Sequence, residues 1–392
     1  MHQPSILHRA WAEIDLSALE NNVRCIQEIL PEHTDFMAVV KADAYGHGDE
    51  VICTALHKMG IRWFAVSNLE EALSVRQYCP DSEIFILGYT PPELAPELTK
   101  HHIIQGVMST EYAQELAAHA GSEPVRCHIK LDTGMSRLGF FAYDHPKTVE
   151  ELKEVAQMPK LLIEGIFMHF PVADSIDGAD ANFTHTQFER FTQMLSALKG
   201  VGIEPEIRHC CNSGATILYP EYALDMVRPG IATYGVLPSE DLRGMIDLRP
   251  VMSLRSTIFQ IRDFEPNITI SYGRTYTTED PARIAVVGIG YADGFPRSLS
   301  SNVSFLLHGR RVPQVGRICM DMCMVDITRV PEAKVGDVVT VFGEDGGDSI
   351  ELTSLANRLG TIPYELMCGI NKRIPRIYLN GEDETEVLQY IV

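Results

Sequence analysis

Phe36-Met37-Ala38-Val39-Val40-Lys41-Ala42-Asp43-Ala44-Tyr45-Gly46-His47-Gly48 reads as a buried strand that delivers a lysine. The apolar run is short and is followed by two glycines, as a strand inside a layered α/β protein should be. A helical pattern comes next, through Val51, Ala55, Leu56 and Met59. A lysine at a strand exit, half withdrawn from water, loses stabilisation of its charge, so its pKa falls and its neutral amine becomes a nucleophile. Such an amine condenses with carbonyl compounds to a Schiff base. Taken alone, Lys41 reads more readily as a surface lysine whose stem packs on apolar neighbours.

Working outward, strand-like runs recur at Trp63–Val66, Ile84–Leu87, Gln105–Met108, Val125–Leu131, Leu162–Phe167, Glu206–His209 and near Ile231–Gly235. Helical patterns at 69–78, 110–119, 147–157 and 182–199 lie between most of them. Upstream, Leu16, Leu19, Val23, Ile26 and Leu30 recur at helical spacing, with Ser17 and Glu20 placed as a capping box. Eight strands alternating with helices over about 240 residues predict an α/β fold, a (β/α)8 TIM barrel. An open doubly wound sheet is the rival, but no Gly-x-Gly-x-x-Gly opens a helix. From residue 246 the texture turns β-rich, through Leu254–Phe259, Arg283–Gly288, Ser304–Leu307, Met322–Ile327 and Asp337–Phe342, with one helix at Leu352–Leu359. The division expected is a barrel over 1–245, whose first dozen residues pack on the second domain, and a mostly β domain over 246–392.

Composition narrows the function. The chain has 392 residues, 45% of them hydrophobic, and a net charge of −20 from 33 basic and 53 acidic side chains. Such a surface repels phosphate backbones, so nucleic acid is not an expected partner. Small anions must then be held by particular arginines. No run of about 18 apolar residues reads as a membrane span, and Met1–Ser5 lacks the layout of a signal peptide. The nine cysteines are odd in number and scattered without a Cys-x-x-Cys pair, and read as reduced thiols of a cytoplasmic protein with no metal site.

A barrel carries its reactive groups where the strands end. Besides Lys41, those ends offer Lys130 to Gly139 (with Arg137), Met168-His169-Phe170, Arg208 to Gly214 and Asp225 to Ile231 (with Arg228). Ser213 and Gly214 stand where a helix begins, and backbone N–H groups there can cradle a phosphate. Ser213 reads equally as an ordinary N-cap serine. Gly230 and Ile231 lie in the loop after the last strand, where barrels often bind phosphate. A Schiff-base lysine with a phosphate cradle points to pyridoxal 5'-phosphate, although an aldolase-type barrel would share both features.

Eight ordered segments (Ala38–Gly48, Lys130–Gly139, His209–Ala215, Met226–Gly235, Ser271–Tyr276, Gly290–Gly294, Gly316–Met320 and Thr361–Cys368) resemble the bacterial alanine racemases, over a span from Trp11 to about Arg376. The resemblance implies pyridoxal 5'-phosphate, a barrel followed by a β domain, and a homodimer with shared active sites that interconverts L- and D-alanine. It implies that Lys41 holds the cofactor and serves as base on one face, and that Tyr272 of the partner subunit is the base on the other. His169 and Arg228 would supply the positive charge that a phenolate at Tyr272 needs. Arg228 would face the pyridine nitrogen; because arginine keeps its proton, that nitrogen stays unprotonated. Arg137 would orient the substrate carboxylate, and Lys130 is where the family often has a carbamylated lysine. Tyr45, Ser213, Gly230, Ile231 and Tyr364 would bind the phosphate. Tyr291, Met320 and Asp321 would come from the partner, and Tyr291 with Tyr364 would narrow the mouth. Ser136 departs from the glycine that many members carry before the arginine, so an altered loop is expected. The alternatives are a serine or broad-specificity amino-acid racemase of the same family and, from another class, a non-catalytic pyridoxal-phosphate carrier. The β domain and the Tyr272 segment speak against the carrier.

Overall fold

The computed structural model describes residues 9–381 and 383–390; residues 1–8 of the leading dozen lie outside them. The chain forms two compact units, one of residues 20–44 and 49–248, the other containing residues 9–19, Tyr45–Gly48 and the chain from Arg249 onward.

In the first unit eight parallel strands close on themselves. In ring order they are Asp35–Val39, Trp63–Val66, Glu83–Ile86, Ile103–Val107, Val125–Asp132, Leu161–Phe167, Ile207–His209 and Met226–Val227, which pairs back onto the first. This is the predicted (β/α)8 barrel. Strands such as Phe64-Ala65-Val66 and Ile84-Phe85-Ile86 are wholly buried, as expected where helices cover a parallel sheet. The eighth strand is Met226–Val227; the stretch expected near Ile231–Gly235 is a 3-10 turn, Ile231–Tyr234, closed by Gly235 at φ 76°. The first helix, Leu16–Glu28, is capped by Asp15, whose Oδ1 accepts from Ser17 N and Ala18 N. The capping box expected from Ser17 and Glu20 is therefore not formed: Asp15, two residues before Ser17, is the cap and takes the Ser17 amide that Glu20 would have served.

In the second unit six antiparallel strands make a closed ring: Met252–Phe264, Ala282–Val287, Cys323–Asp326, Arg310–Val315, Ser304–Leu307 and Val338–Asp345. Ala10–Asp15 adds to Met252–Phe264 antiparallel and takes Arg376–Asn380 on its other side in parallel. Ile270, Ile284, Val315 and Met324 form one apolar cluster here. Two helices, not the one expected, interrupt the strands: Leu352–Leu359 and Pro363–Gly369. The second is short and starts at a proline, which suits a first helical turn, and it carries Tyr364.

Candidate active site

Lys41, Lys130, His169, His209 and Arg228 all stand at or just beyond the C-terminal ends of barrel strands, the end on which barrels do chemistry. Arg228 is 3% exposed and meets no carboxylate among the described residues. Its Nη2 donates to Met168 O at 2.7 Å and Cys210 O at 3.1 Å, and lies 3.4 Å from His169 Nδ1; its Nη1 lies 3.0 Å from His209 Nδ1. Burial drags this guanidinium down to about 10, so it remains a cation at neutral pH. Its Nε–H has no partner among the described residues, which leaves a fixed donor for a ring nitrogen.

The direction of these bonds settles the histidine tautomers. Arginine only donates, so Nδ1 of His209 and of His169 must be acceptors and their protons sit on Nε2. His209 Nε2 then donates to His128 Nδ1, 2.9 Å away. Burial, reinforced by the Arg228 cation, holds His169 and His209 well below the ordinary histidine range, and burial pushes His128 down to about 3. All three rings are neutral. Burial likewise holds the Lys130 amine well below its usual range, with the Arg228 cation adding to the effect. It donates to Leu131 O at 3.1 Å and sits 5.0 Å above the Phe167 ring. His128 and His209 carried no role in the sequence reading. His128 stands two residues before Lys130 on the same strand, and that period-2 spacing was the available signal.

Arg137 is exposed on a turn folded by Asp132, whose Oδ1 accepts from Gly134 N at 2.9 Å and Ser136 N at 3.0 Å. Ser136, the departure from the family glycine, sits at φ 57°, a left-handed conformation that glycine tolerates better. The helix Ser213–Leu218 is capped by Asn212, not Ser213: Asn212 Oδ1 accepts from Ala215 N. The Ser213 hydroxyl is thus free to accept from Gly230 N at 2.9 Å and Ala232 N at 3.3 Å, drawing the two loops together. With both lone pairs engaged, its O–H remains as a donor for an anion. Gly214 is required where it stands, since a Cβ would lie 2.8 Å from Asp174 Cβ and 3.0 Å from Ala173 O.

After Lys41 the backbone does something unusual. Ala42, Asp43, Ala44 and Tyr45 have φ of 54°, 57°, 51° and 54°, and Gly46 follows at 81°. Four consecutive L-residues thus wind a left-handed turn, at a cost of roughly 1–2 kcal/mol each. The turn ends on Tyr45, whose ring centroid is 6.0 Å from that of Tyr364.

In the second unit Tyr272 is 69% exposed, at the tip of a turn with φ of 67° at Ser271, 72° at Gly273 and 50° at Arg274. The turn is held by Ser271 Oγ donating to Arg317 O at 2.7 Å and by Gly316, where a Cβ would lie 2.9 Å from Ser271 Cβ. The segments of Tyr291 and Met320, both side chains exposed, are joined by Tyr291 N donating to Cys319 O and Ala292 N to Met320 O. Beneath them the buried Asp293 carboxylate accepts from Arg9 and Gly290 N and pairs with Arg373 at 3.3 Å; Arg373 also bonds Asp321 at 2.9 Å. Asp293, Arg9 and Arg373 were not singled out in the sequence. Among the described residues, no helix is long and apolar enough to cross a membrane and no cluster of His, Cys, Asp or Glu is arranged to hold a metal.

Residues 14–238 match the family described as alanine racemase, N-terminal domain, and residues 251–378 the alanine racemase C-terminal domain. The chain belongs to the alanine racemase family. An alanine racemase of Methanococcus maripaludis is 44% identical over 96% of this chain and 100% of its own length, and one of Desulfovibrio desulfuricans is 42% identical over 94% and 98%. Among solved structures, the alanine racemase of Clostridium difficile 630 superposes with a TM-score of 0.93 at 37% identity, covering 99% of this chain and 100% of that one. That of Bacillus anthracis, solved with bound L-Ala-P, gives 0.92 at 34% identity over 99% of each. The chain is accordingly an enzyme, and alanine racemisation is the activity that membership of the alanine racemase family assigns to it. Lys41 at a strand end, the unused Arg228 donor and the Ser213 loop also suit the pyridoxal phosphate that the family implies.

Proposed function

We propose that two copies of this chain interconvert L- and D-alanine by a two-base mechanism, with Lys41 of one copy and Tyr272 of the other on opposite faces of pyridoxal 5'-phosphate. When bound, that group supplies an electron sink for the pair left behind as an α-proton departs. The observation that carries the reading is Arg228: a buried cation with its Nε–H uncommitted, locked by two carbonyl oxygens and two imidazole Nδ1 atoms that accept from it. Set against a pyridine nitrogen it would donate a bond without giving up a proton, so the sink stays shallow and return of a proton to the α-carbon is favoured. Lys41 would take or give that proton at Nζ, and Tyr272 at its phenol oxygen. His169, with its proton on Nε2, would hold that oxygen and extend to it the influence of the Arg228 cation. Arg137 would hold the substrate carboxylate by charge-assisted bonds. Burial, which favours the uncharged amine at Lys130, favours the form that adds carbon dioxide, and as a carbamate Lys130 would give Arg137 an anion to lie against. Ser213, Gly230, Ile231, Tyr45 and Tyr364 would bind the phosphate. Tyr291, Met320 and Asp321 of the second copy would shape the mouth. Tyr272 is well suited to be donated, being the most exposed large apolar side chain among the described residues. We place the enzyme in the cytoplasm on its nine cysteines, odd in number and scattered without a Cys-x-x-Cys pair.

The test is complementation. Lys41→Ala and Tyr272→Phe chains are each loaded with pyridoxal phosphate, assayed alone in deuterated water for α-deuterium in L- and D-alanine, then mixed and allowed to exchange subunits. Sites shared between copies predict recovery toward about a quarter of wild-type racemisation, since half the dimers are mixed and each has one intact site. No recovery, with exchange verified by mass, would overturn the assignment of Tyr272 to the second copy. The same assay on serine measures the broad-specificity alternative, and intact protein mass reads the Lys130 carbamate.

A further inference from the structure

We propose that Glu71 is a positioning residue for Lys41, holding the strained left-handed turn that follows it; the inference rests on Lys41 being the cofactor lysine. Glu71 lies in the first turn of the helix Leu69–Tyr78. Its Oε1 accepts from Ala42 N at 2.8 Å, and its Oε2 from Ser67 N at 2.8 Å. One carboxylate therefore ties together the exits of two neighbouring barrel strands, at the first residue of the left-handed turn. Its own helix holds it in place, because Glu71 N donates to Asn68 Oδ1 at 2.9 Å.

The far end of the turn is fixed by different groups. Arg376 Nε donates to Gly46 O at 3.0 Å, and the Tyr378 hydroxyl to His47 O at 2.7 Å. Arg376 is fully buried, and its other donors go to Asn371 O, Ile374 O and Ile370 O. A turn of this hand persists only where its surroundings over-determine it. Unclamped at Ala42, the segment would relax toward right-handed backbone and swing the Cα–Cβ bond of Lys41. Glu71 thus sets the direction of the lysine stem through the backbone and adds a negative charge nearby, favouring the protonated Schiff base.

Glu71→Gln keeps the shape but leaves one accepting oxygen for two N–H groups and turns an amide donor toward the other. We expect faster hydrogen exchange at the Ala42 or Ser67 amide, a fall of about one pH unit in the midpoint of the Lys41 Schiff-base absorbance titration, and a kcat about tenfold lower in both directions with KM little changed. Tyr378→Phe, a gentler change at the other end, should move the same titration by less and in the same direction. Borohydride trapping of the cofactor on Lys41 of the wild type checks the underlying reading separately. Trapping at Lys41, with wild-type titration and kcat in Glu71→Gln despite faster amide exchange, would overturn the positioning role. So would amide exchange unchanged in Glu71→Ala.

Discussion

Arg228 Nη1 lies 3.0 Å from His209 Nδ1, and the bond between them can point only one way. That fixes the proton of His209 on Nε2, and the next bond, to His128, fixes the proton of His128 on its own Nε2, which meets no partner among the described residues. A buried N–H without an acceptor destabilises the fold, so the chain is retained at a cost of about 1–3 kcal/mol. What it yields is a guanidinium that cannot turn.

The same burial predicts how stability should follow pH. Above 6.5, the ordinary histidine value, the rings are neutral in the folded and unfolded chains alike. Below it the unfolded chain binds protons that the folded chain refuses, so stability falls with falling pH until the folded value, about 3 for His128, is reached. In urea unfolding below pH 6.5, each such ring should contribute a slope approaching about 1.4 kcal/mol per pH unit. His128→Gln should flatten the profile by one ring's share. An unchanged slope would mean that His128 takes up its proton inside the folded barrel.

Ser213→Ala removes the hydroxyl that joins the start of the helix Ser213–Leu218 to the 230–232 loop. It leaves two amides without their acceptor and would delete the donor proposed for the phosphate. A hydrogen bond to a charged group contributes about 1.5–3 kcal/mol, so cofactor affinity should fall about 10- to 100-fold. Fluorescence titration of the apoprotein with pyridoxal phosphate reads it. An unchanged Kd would remove Ser213 from the cradle.

Both barrel and β domain were legible because their signals are periodic and local: apolar runs of strand length, spaced by helices and then by turns. The placement of Lys41, Arg228 and His169 at strand ends was legible because strand ends are easy to locate and the motifs are dense. What escaped depends on which of two local partners wins. Asp15 took the cap position expected of Ser17, and Asn212 the one open to Ser213, leaving Ser213 to bind the loop. The eighth strand is only Met226–Val227, too short for an apolar pattern to stand out beside Ile231–Tyr234. The hand of the Ala42–Tyr45 turn leaves no trace in composition, since only Gly46 at its end hints at positive φ. Asp293 was hidden because its partners, Arg9 and Arg373, lie far away in sequence.

Ser136 offers a mild test of the Arg137 turn. Its left-handed φ of 57° is strained for a side chain, while glycine there would gain freedom in the unfolded chain. The two effects oppose, so Ser136→Gly should change stability by less than about 1 kcal/mol and leave racemisation within about twofold. A tenfold loss of kcat/KM would instead give the serine hydroxyl a part in holding the substrate carboxylate.

Asp293 separates a buried charge from an exposed one in a single network. Its carboxylate is fully buried, whereas Arg9 and Arg373 are about one-third exposed, at 37% and 34%. Removing the anion leaves two guanidinium groups facing one another and an unpaired Gly290 amide, a loss of about 3–5 kcal/mol. Removing Arg9 leaves Asp293 still paired with Arg373, and solvent screens what is lost, so Arg9→Ala should cost about 1 kcal/mol or less. Urea denaturation ranks the two variants. The same substitutions should raise KM for alanine in that order, because Asp293 underlies the segments that present Tyr291 and Met320. Equal destabilisation by both would show that the ion pair with Arg9, rather than the buried carboxylate itself, holds those segments in place.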